Sequence, residues 1–378
     1  MNPDTHHDED LVEGVRRFVE RDILGKVQAL EASDTYPNHL IGSLAELGLF
    51  GAAVPPAYGG LGVNIPTYAR IMEELAYGWT ALNCYLNSHF SASSMLARYG
   101  TDQQKERFLP RMATGELRGC FALTEPGAGS DAGGITTTAV KIGDRYILNG
   151  VKHYISGSTH AGLLTVVART NPAPRSKEMS VFLVEPSFKG FRIGTVYDTM
   201  GCKGHPIAEL LFEDCEVPEE NRLGPEGKGW LAATKTLMEG RPVVAARCVG
   251  ACERLLEIST DYAKTRKQFG QAIGEFQGIH FMLADMATRT EASRLLTYRA
   301  AVLADEGRVT SQDTSMAKLF ASETLAFVAD SALQIQGGSG YITDNPVGRF
   351  YRDARITRIY EGTSEIQRGI IGRSMLRN

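Results

Sequence analysis

Residues 136–156 read TTTAVKIGDRYILNGVKHYIS, and this stretch decides the architecture. Thr136–Lys141, Tyr146–Leu148 and Val151–Ile155 are short runs rich in β-branched and aromatic residues. Asn149-Gly150 between the last two is the residue pair of a tight hairpin. Further runs of the same texture lie on either side: Gly119–Leu123, Leu163–Ala168, Ser180–Val184, Phe191–Tyr197 and Ala208–Phe212. Many short strands with no helix between them predict an antiparallel β-barrel or sandwich.

Outside this region the periodicity is helical. Leu11, Val15, Phe18, Val19 and Ile23 fall on one face of a helix predicted over Asp8–Ala29. Pro37–Leu49 predicts a second helix, ended by Pro55-Pro56 and Gly59-Gly60. Pro66 suits the first turn of a third, and Gly78 separates it from Thr80–Tyr99. Thr101 or Asp102 can cap a short helix up to Met112. Helices return after Gly227, including a long amphipathic segment with Phe281, Leu283, Met286, Leu295, Leu296 and Ala300 apolar and Asp285, Arg289 and Glu291 polar. The expected class is α+β multidomain: helical over 1–118, a β-barrel over 119–225, and a helical bundle over 226–378.

A chain of 378 residues exceeds one small core. Its hydrophobic content of 43% and charged content of 22% are those of a globular protein. A net charge of −4 gives no electrostatic reason to expect nucleic acid or an acidic membrane. No apolar run reaches the roughly 20 residues needed to cross a bilayer. The first ten residues are polar and acidic, unlike a secretory or transit peptide, and His6 and His7 in them are expected to be disordered and not ligands. Six scattered cysteines without a CxxC fit a reducing, cytoplasmic setting. His89 and His280 have no partners at ligand spacing, so no metal is expected.

Gly127-Ala128-Gly129-Ser130-Asp131 invites a dinucleotide reading, but threonine-rich, strand-like sequence follows where a Rossmann site needs a helix. Gly337-Gly338 has the look of a helix C-cap. Thr124 to Asp131 instead offers backbone N–H groups and hydroxyls in a turn able to approach a flat ligand with polar edges. Tyr154-Ile155-Ser156 adds an aromatic face and a hydroxyl at a strand end.

These runs, with Arg266-Lys267-Gln268-Phe269-Gly270, Gln334-Ile335-Gln336-Gly337-Gly338 and Ile359-Tyr360-Glu361-Gly362-Thr363-Ser364, stand in an order that closely resembles the acyl-CoA dehydrogenase family. The resemblance runs from about Leu11 to Leu376 and is strongest to short- and medium-chain members. It implies a helical domain, a β-barrel and a four-helix bundle, and FAD as cofactor. Phe121, Leu123, Thr124, Gly129 and Ser130, with Tyr154, Ile155 and Ser156, would wrap the flavin. Arg266, Phe269 and Gln277, with Gln334, Gly337 and Gly338, would contact the FAD of a neighbouring subunit, implying a homo-oligomer and usually a tetramer. Thr363 and Glu365 would meet the adenosine end. Ser130, Arg241 and Gly362 would lie along the acyl-CoA channel, with electron-transfer flavoprotein as redox partner.

Forming a 2,3-enoyl thioester requires a base for the α-proton, a donor for the carbonyl oxygen and an acceptor for the β-hydride. Glu361, flanked by Ile359, Tyr360 and Gly362, suits the base, because an apolar closed site adjusts a carboxylate to such work. Its own backbone N–H would help hold the thioester oxygen. Standing alone it could equally cap a helix or pair with Arg358. Ser364-x-x-Gln367 reads as a capping box behind it. Some family members carry the base directly before the channel arginine; here that residue is Gly240, and Glu239 beside it is out of register and expected to be solvated or ion-paired.

Two positions depart from the family. Tyr154 replaces a common Trp, and Met238 replaces an Asp three residues before Arg241, which opens the handling of the coenzyme A arm. A carrier-protein-bound acyl group is therefore an alternative substrate. An oxygen-using oxidase or monooxygenase of the same fold, and a non-catalytic scaffold, are the competing functions. Lys203 and His205 read as a surface loop.

Overall fold

The computed structural model describes residues 3–171 and 178–376, with side chains from Asp8 onward. The N-terminal region folds into α1 (Pro3–Phe18), α2 (Val27–Ser33), α3 (Asn38–Glu46), α4 (Ile65–Gly78), α5 (Thr80–Tyr99) and α6 (Asp102–Ala113). The helix expected over Asp8–Ala29 is broken by a π turn at Val19–Ile23, closed by Leu24 N donating to Val19 O at 3.0 Å. The wider turn keeps Val19 and Ile23 both inward, against Gly78, where a Cβ would lie 2.7 Å from Val19 Cγ1. α1 begins at Pro3, and the expectation for His6 and His7 falls on side chains outside the described residues. Asn64 caps α4 by accepting from Thr67 N at 2.8 Å. Thr101, not Asp102, caps α6, in a reciprocal box with Gln104.

The middle region is one sheet built from β1 (Gly119–Ala122), β2 (Thr138–Ile142), β3 (Arg145–Ser156), β4 (Leu163–Arg169), β5 (Met179–Val184), β6 (Phe191–Tyr197), β7 (Ile207–Pro218) and β8 (Arg222–Leu223). The order is β6-β7-β3-β2-β4-β5-β8, with β1 on β4. Pairings among the described residues trace an open path, not a closed barrel, and two of them, β1 with β4 and β2 with β4, are parallel. Asn149-Gly150 is not the hairpin turn: β3 runs straight through it, and Gly143-Asp144 makes the turn. Gly150 is instead an irregularity in the β3–β7 pairing at φ 151°, where a Cβ would lie 2.4 Å from Thr137 Oγ1. A glycine in a strand thus marks a close approach, and not a reversal of the chain.

The C-terminal region comprises α7 (Gly229–Thr265), a two-stranded hairpin of β9 (Lys267–Gln268) and β10 (Gln271–Ala272), α8 (Gln277–Asp305), α9 (Ser311–Gln336), α10 (Pro346–Thr357) and α11 (Ser364–Met375). α7, α8, α9 and α11 form the bundle, with α9 against each of the others. On α8, Met286 and Ala300 are buried but Phe281 and Leu295 face outward, so the apolar residues do not share one covered stripe. α7 ties the regions together. Its first turns enter the core between α6 and the sheet through Ala232 and Ala233, and Val243 enters the N-terminal core. Gly250 lies directly on α4, where a Cβ would come within 2.0 Å of Glu73 O. Gly250→Val therefore has to push α4 off α7. We expect a loss of at least about 2–3 kcal/mol, read as a lower urea midpoint, whereas Gly25→Ala, with nothing within 4 Å of its Cβ position, should leave the midpoint nearly unchanged.

Candidate active site

A cavity of about 540 Å³ opens where the three regions meet. Its walls come from α5, the end of β1, the loop 124–133, the end of β3, the first half of α7, the turn before α11, and α11 itself. Of the residues expected at the site, Phe121, Leu123, Thr124, Gly129, Ser130, Tyr154, Ile155, Ser156, Arg241, Glu361 and Gly362 line it. Thr363, Glu365 and Met238 do not. Met238 packs instead beside Ser311, whose Oγ lies 3.6 Å from its Sδ.

The loop 124–133 is anchored beneath by a pair that sequence reading did not single out. Glu125 and Lys152 are both buried, with Nζ 2.7 Å from Oε1. Lys152 also donates to Leu123 O at 3.0 Å, and Glu125 accepts from the Thr136 and Thr137 N–H groups at 2.5 and 3.0 Å. Burial opposes ionisation of Glu125, but Lys152 and these donors outweigh it and hold the carboxyl below its usual range. Burial pulls Lys152 down to about 8, with Glu125 opposing. The Glu125–Ala128 backbone pair then folds the glycine turn toward the cavity.

Glu361 stands at φ 54° and Gly362 at φ 95°, a left-handed turn between α10 and α11. Such a conformation costs a non-glycine residue on the order of 1–2 kcal/mol and needs external support. Three elements supply it. Lys318 of α9 donates to Gly362 O at 2.8 Å, Gln367 of α11 donates to Glu361 O and Gly362 O at 3.0 Å each, and Asn87 of α5 donates to Glu361 Oε1 at 2.6 Å. A Cβ on Gly362 would strike Gln367 Nε2 at 2.6 Å, so only glycine fits. The α11 cap is Thr363, accepting from Ile366 N at 3.3 Å, and not Ser364. Gln367, expected in a capping box, holds the turn instead.

Glu361 Oε2 is buried and has no hydrogen-bond partner among the described residues. It lies against Gly240, whose Cβ position is 3.3 Å away, so a side chain at 240 would crowd this carboxylate. Arg358 turns toward Glu323, 3.9 Å away, and Glu239 pairs with Arg98 at 2.6 Å. Burial lowers both Arg241 and Lys318, the latter to about 8, while Glu361 draws each back toward the charged form.

Asn87 was not anticipated; the available signal was a helix with polar residues on every side. Ser88 donates to Ser156 O at 3.0 Å, and His89 Nδ1 accepts from Gly119 N at 3.1 Å. Burial pushes His89 down to about 4, which keeps that nitrogen a free acceptor. His205 is not on a surface loop. It is buried edge-on against Tyr85, and burial lowers it to about 3. Lys203 pairs with Asp34 and Asp198.

The remaining expected contacts gather far from this cavity. Arg266, Phe269, Gln277, Gln334, Gly337 and Gly338 are exposed at one end of the bundle, where Tyr262 Oη reaches Gln336 O and Ser339 Oγ at 3.4 Å. Phe269 is 93% exposed at φ 53°, and Tyr154 is 62% exposed at φ 58°. With Glu361, three of the expected site residues hold strained left-handed backbones.

Comparisons with known proteins place this arrangement in a family. Residues 5–116, 120–215 and 227–376 match the N-terminal, middle and C-terminal domains of acyl-CoA dehydrogenase. Acryloyl-CoA reductase (NADH) of Anaerotignum propionicum is 42% identical over 375 residues, 99% of this chain and 95% of that protein. Acyl-CoA dehydrogenase of Bacillus subtilis is 42% identical over 363 residues, 96% of each. The structure of butyryl-CoA dehydrogenase from Megasphaera elsdenii superposes with a TM-score of 0.96 at 37% identity, covering 100% of this chain and 99% of that one. The chain belongs to the acyl-CoA dehydrogenase family, whose members are FAD flavoproteins. The site fits that cofactor: Cβ positions at Gly127 and Gly129 meet nothing within 4 Å, leaving the turn open to a ligand, and Phe121, Tyr154 and Ile155 line the same cavity. No helix among the described residues is long and apolar enough to cross a membrane, and no cluster there could hold a metal.

Glu125→Gln leaves Lys152 buried and unpaired, and we expect a loss of about 3–5 kcal/mol at pH 7 by urea denaturation. Because the folded Glu125 titrates below its unfolded value, its contribution is complete above about pH 4.5 and lost as pH falls through the lowered value. The gap between wild type and variant should therefore close in acid; a gap independent of pH would show that the charge on Glu125 is not what holds the loop.

Proposed function

We propose that this protein oxidises a saturated acyl-CoA thioester to the trans-2-enoyl form, with Glu361 taking the α-proton. The observation that carries this reading is the asymmetry of the Glu361 carboxylate. Oε1 is fixed by Asn87, whereas Oε2 is buried and without a partner among the described residues, and Glu361 is one of the residues that line the cavity. A carboxylate oxygen kept from water and left unpaired is suited to receive a proton from carbon. Bound FAD supplies the acceptor for the hydride that leaves the β-carbon. Thr124, Gly129 and Ser130 would hold it from one side, and Tyr154, Ile155 and Ser156 would support its ring.

The left-handed turn frees the Glu361 N–H from helical pairing, and it is the proposed donor to the thioester oxygen. As charge moves onto that oxygen during proton removal, a fixed donor strengthens most when the α-carbon is most negative. Arg241 and Lys318 favour the same build-up of negative charge. The same groups serve the reverse reduction, the direction named for the Anaerotignum propionicum relative.

Arg266, Phe269, Gln277, Gln334, Gly337 and Gly338, exposed and remote from the cavity of their own chain, support a cofactor shared between subunits of a homo-oligomer, with a tetramer as the proposed form. Outward Phe281, Leu295 and Val302 on α8 offer apolar surface for such assembly. Thr363 and Glu365 would reach the adenosine end. Exposed Tyr154 offers an edge at which electron-transfer flavoprotein could collect electrons. A phosphopantetheine arm on a carrier protein is a second reading, favoured by Met238, which meets Ser311 and presents no carboxylate.

Anaerobic addition of acyl-CoAs should bleach the flavin band near its visible maximum. Glu361→Gln should keep the yellow colour and the melting temperature yet lose on the order of a thousandfold or more in kcat. Full turnover by that variant would assign proton removal to another group.

A further inference from the structure

We propose that the acyl pocket is built for a short acyl chain ending in a carboxylate, and that Arg247 receives that anion. This rests on the thioester reading above and adds its substrate class. Arg247 lines the cavity and is 2% exposed. A guanidinium stays charged under all ordinary conditions and is costly to bury without a counter-charge. Among the described residues Arg247 has no carboxylate within ion-pair distance. Its contacts are Cys84 Sγ, 3.7 Å from Nη1, and the face of Tyr360, 4.9 Å away, and its Nε has no hydrogen-bond partner.

The surroundings repeat the pattern. Tyr360 Oη and Asn87 Oδ1 are also buried and unpartnered among the described residues, and both residues line the cavity. Cys84, Ser88 and Ser91 stand in the same wall, with their own hydrogen bonds made to Thr80 O, Ser156 O and Asn87 O. The charges are unbalanced as well. Arg241 and Arg247 line the cavity, and Lys318 lies close enough to feel both, against the single inward carboxylate of Glu361. Asp131 and Arg373 sit at the exposed rim. Asp353, the next interior carboxyl, accepts from Cys202 N at 2.5 Å and faces Glu31, Arg349 and Arg352.

Position along the helix gives the chain length. Gly240, against Glu361 Oε2, and Arg247 are seven residues apart on α7, two turns or roughly 10 Å along one face. An acyl chain with its α-carbon at Glu361 and its far end at Arg247 spans a few carbons only. Reaction at the α- and β-carbons is unchanged; the terminal carboxylate binds and does not react. A cationic acyl end, such as an aminoacyl group, would be repelled from the same place.

The test uses the purified holoenzyme with carbon-matched pairs: succinyl- against butyryl-CoA, glutaryl- against pentanoyl-CoA, and adipyl- against hexanoyl-CoA, followed by anaerobic flavin bleaching and steady-state kcat/KM. At least one acid should exceed its neutral partner by on the order of a hundredfold, mostly through KM. Its methyl ester, alike in shape but uncharged, should fall to the neutral level in the wild-type protein, a comparison that needs no variant to fold. Arg247→Gln should shrink the acid-to-neutral ratio at least tenfold. Neutral thioesters that bleach the flavin as well as or better than every acid would overturn this assignment while leaving the dehydrogenase reading intact. An acid preference that survives Arg247→Gln would overturn the role of Arg247. A flavin that no thioester bleaches would overturn both readings.

Discussion

Three consecutive side chains of α5 hold the candidate site in one piece. Asn87 reaches the C-terminal turn at Glu361, Ser88 the end of β3, and His89 the start of β1. Successive helical residues point about 100° apart, so one helix can face three neighbours only if it is surrounded, and nearly all of α5 is buried. Buried polar groups are expensive unless paired, and each of these pairs across a boundary between regions. Sliding any region by a fraction of an ångström would strand a donor or acceptor. The cavity is therefore defined by interfaces, while each separate core is ordinary hydrophobic packing.

The same logic explains where strain is stored. Glu361, Tyr154 and Phe269 all occupy the left-handed region that most side chains avoid. For Glu361 the compensating contacts are visible: an ammonium from α9, an amide from α11 and an amide from α5 converge on two residues. Their combined worth exceeds the roughly 1–2 kcal/mol of backbone strain, so the turn and its carboxylate are held in place. α7 contributes by omission at Gly240, where the absent side chain makes room for the Glu361 carboxylate, and by commission at Arg241 and Arg247.

Local patterns were read well where one short-range effect dominates. Short runs rich in β-branched and aromatic residues announced the strands, Pro66 and Thr101 announced helix starts, and the texture change near Gly119 falls at the first strand. Readings failed where a local signal served a distant partner. Asn149-Gly150 has the chemistry of a turn, yet Thr137 packed against Gly150 is what requires the glycine. Ser364 and Gln367 have the spacing of a capping box, but Thr363 takes the cap and Gln367 is spent on the Glu361 carbonyl. His205 looked superficial because it follows a glycine turn, and only the fold shows that α5 covers it through Tyr85.

The order of motifs and the periodicity of apolar residues, carried by the chain alone, determined the family, the helix–sheet–helix plan and the candidacy of Glu361, because these depend on residues close in sequence or on motifs read as units. Tertiary structure alone decided that Asn87 binds the Glu361 carboxylate, that Lys152 and Glu125 underpin the glycine turn, and that Arg247 lines the cavity with no carboxylate at ion-pair distance among the described residues. Those are pairings across separations of tens to hundreds of residues. Their energies depend on burial and on distances of a few ångströms, quantities that exist only once the chain has closed on itself.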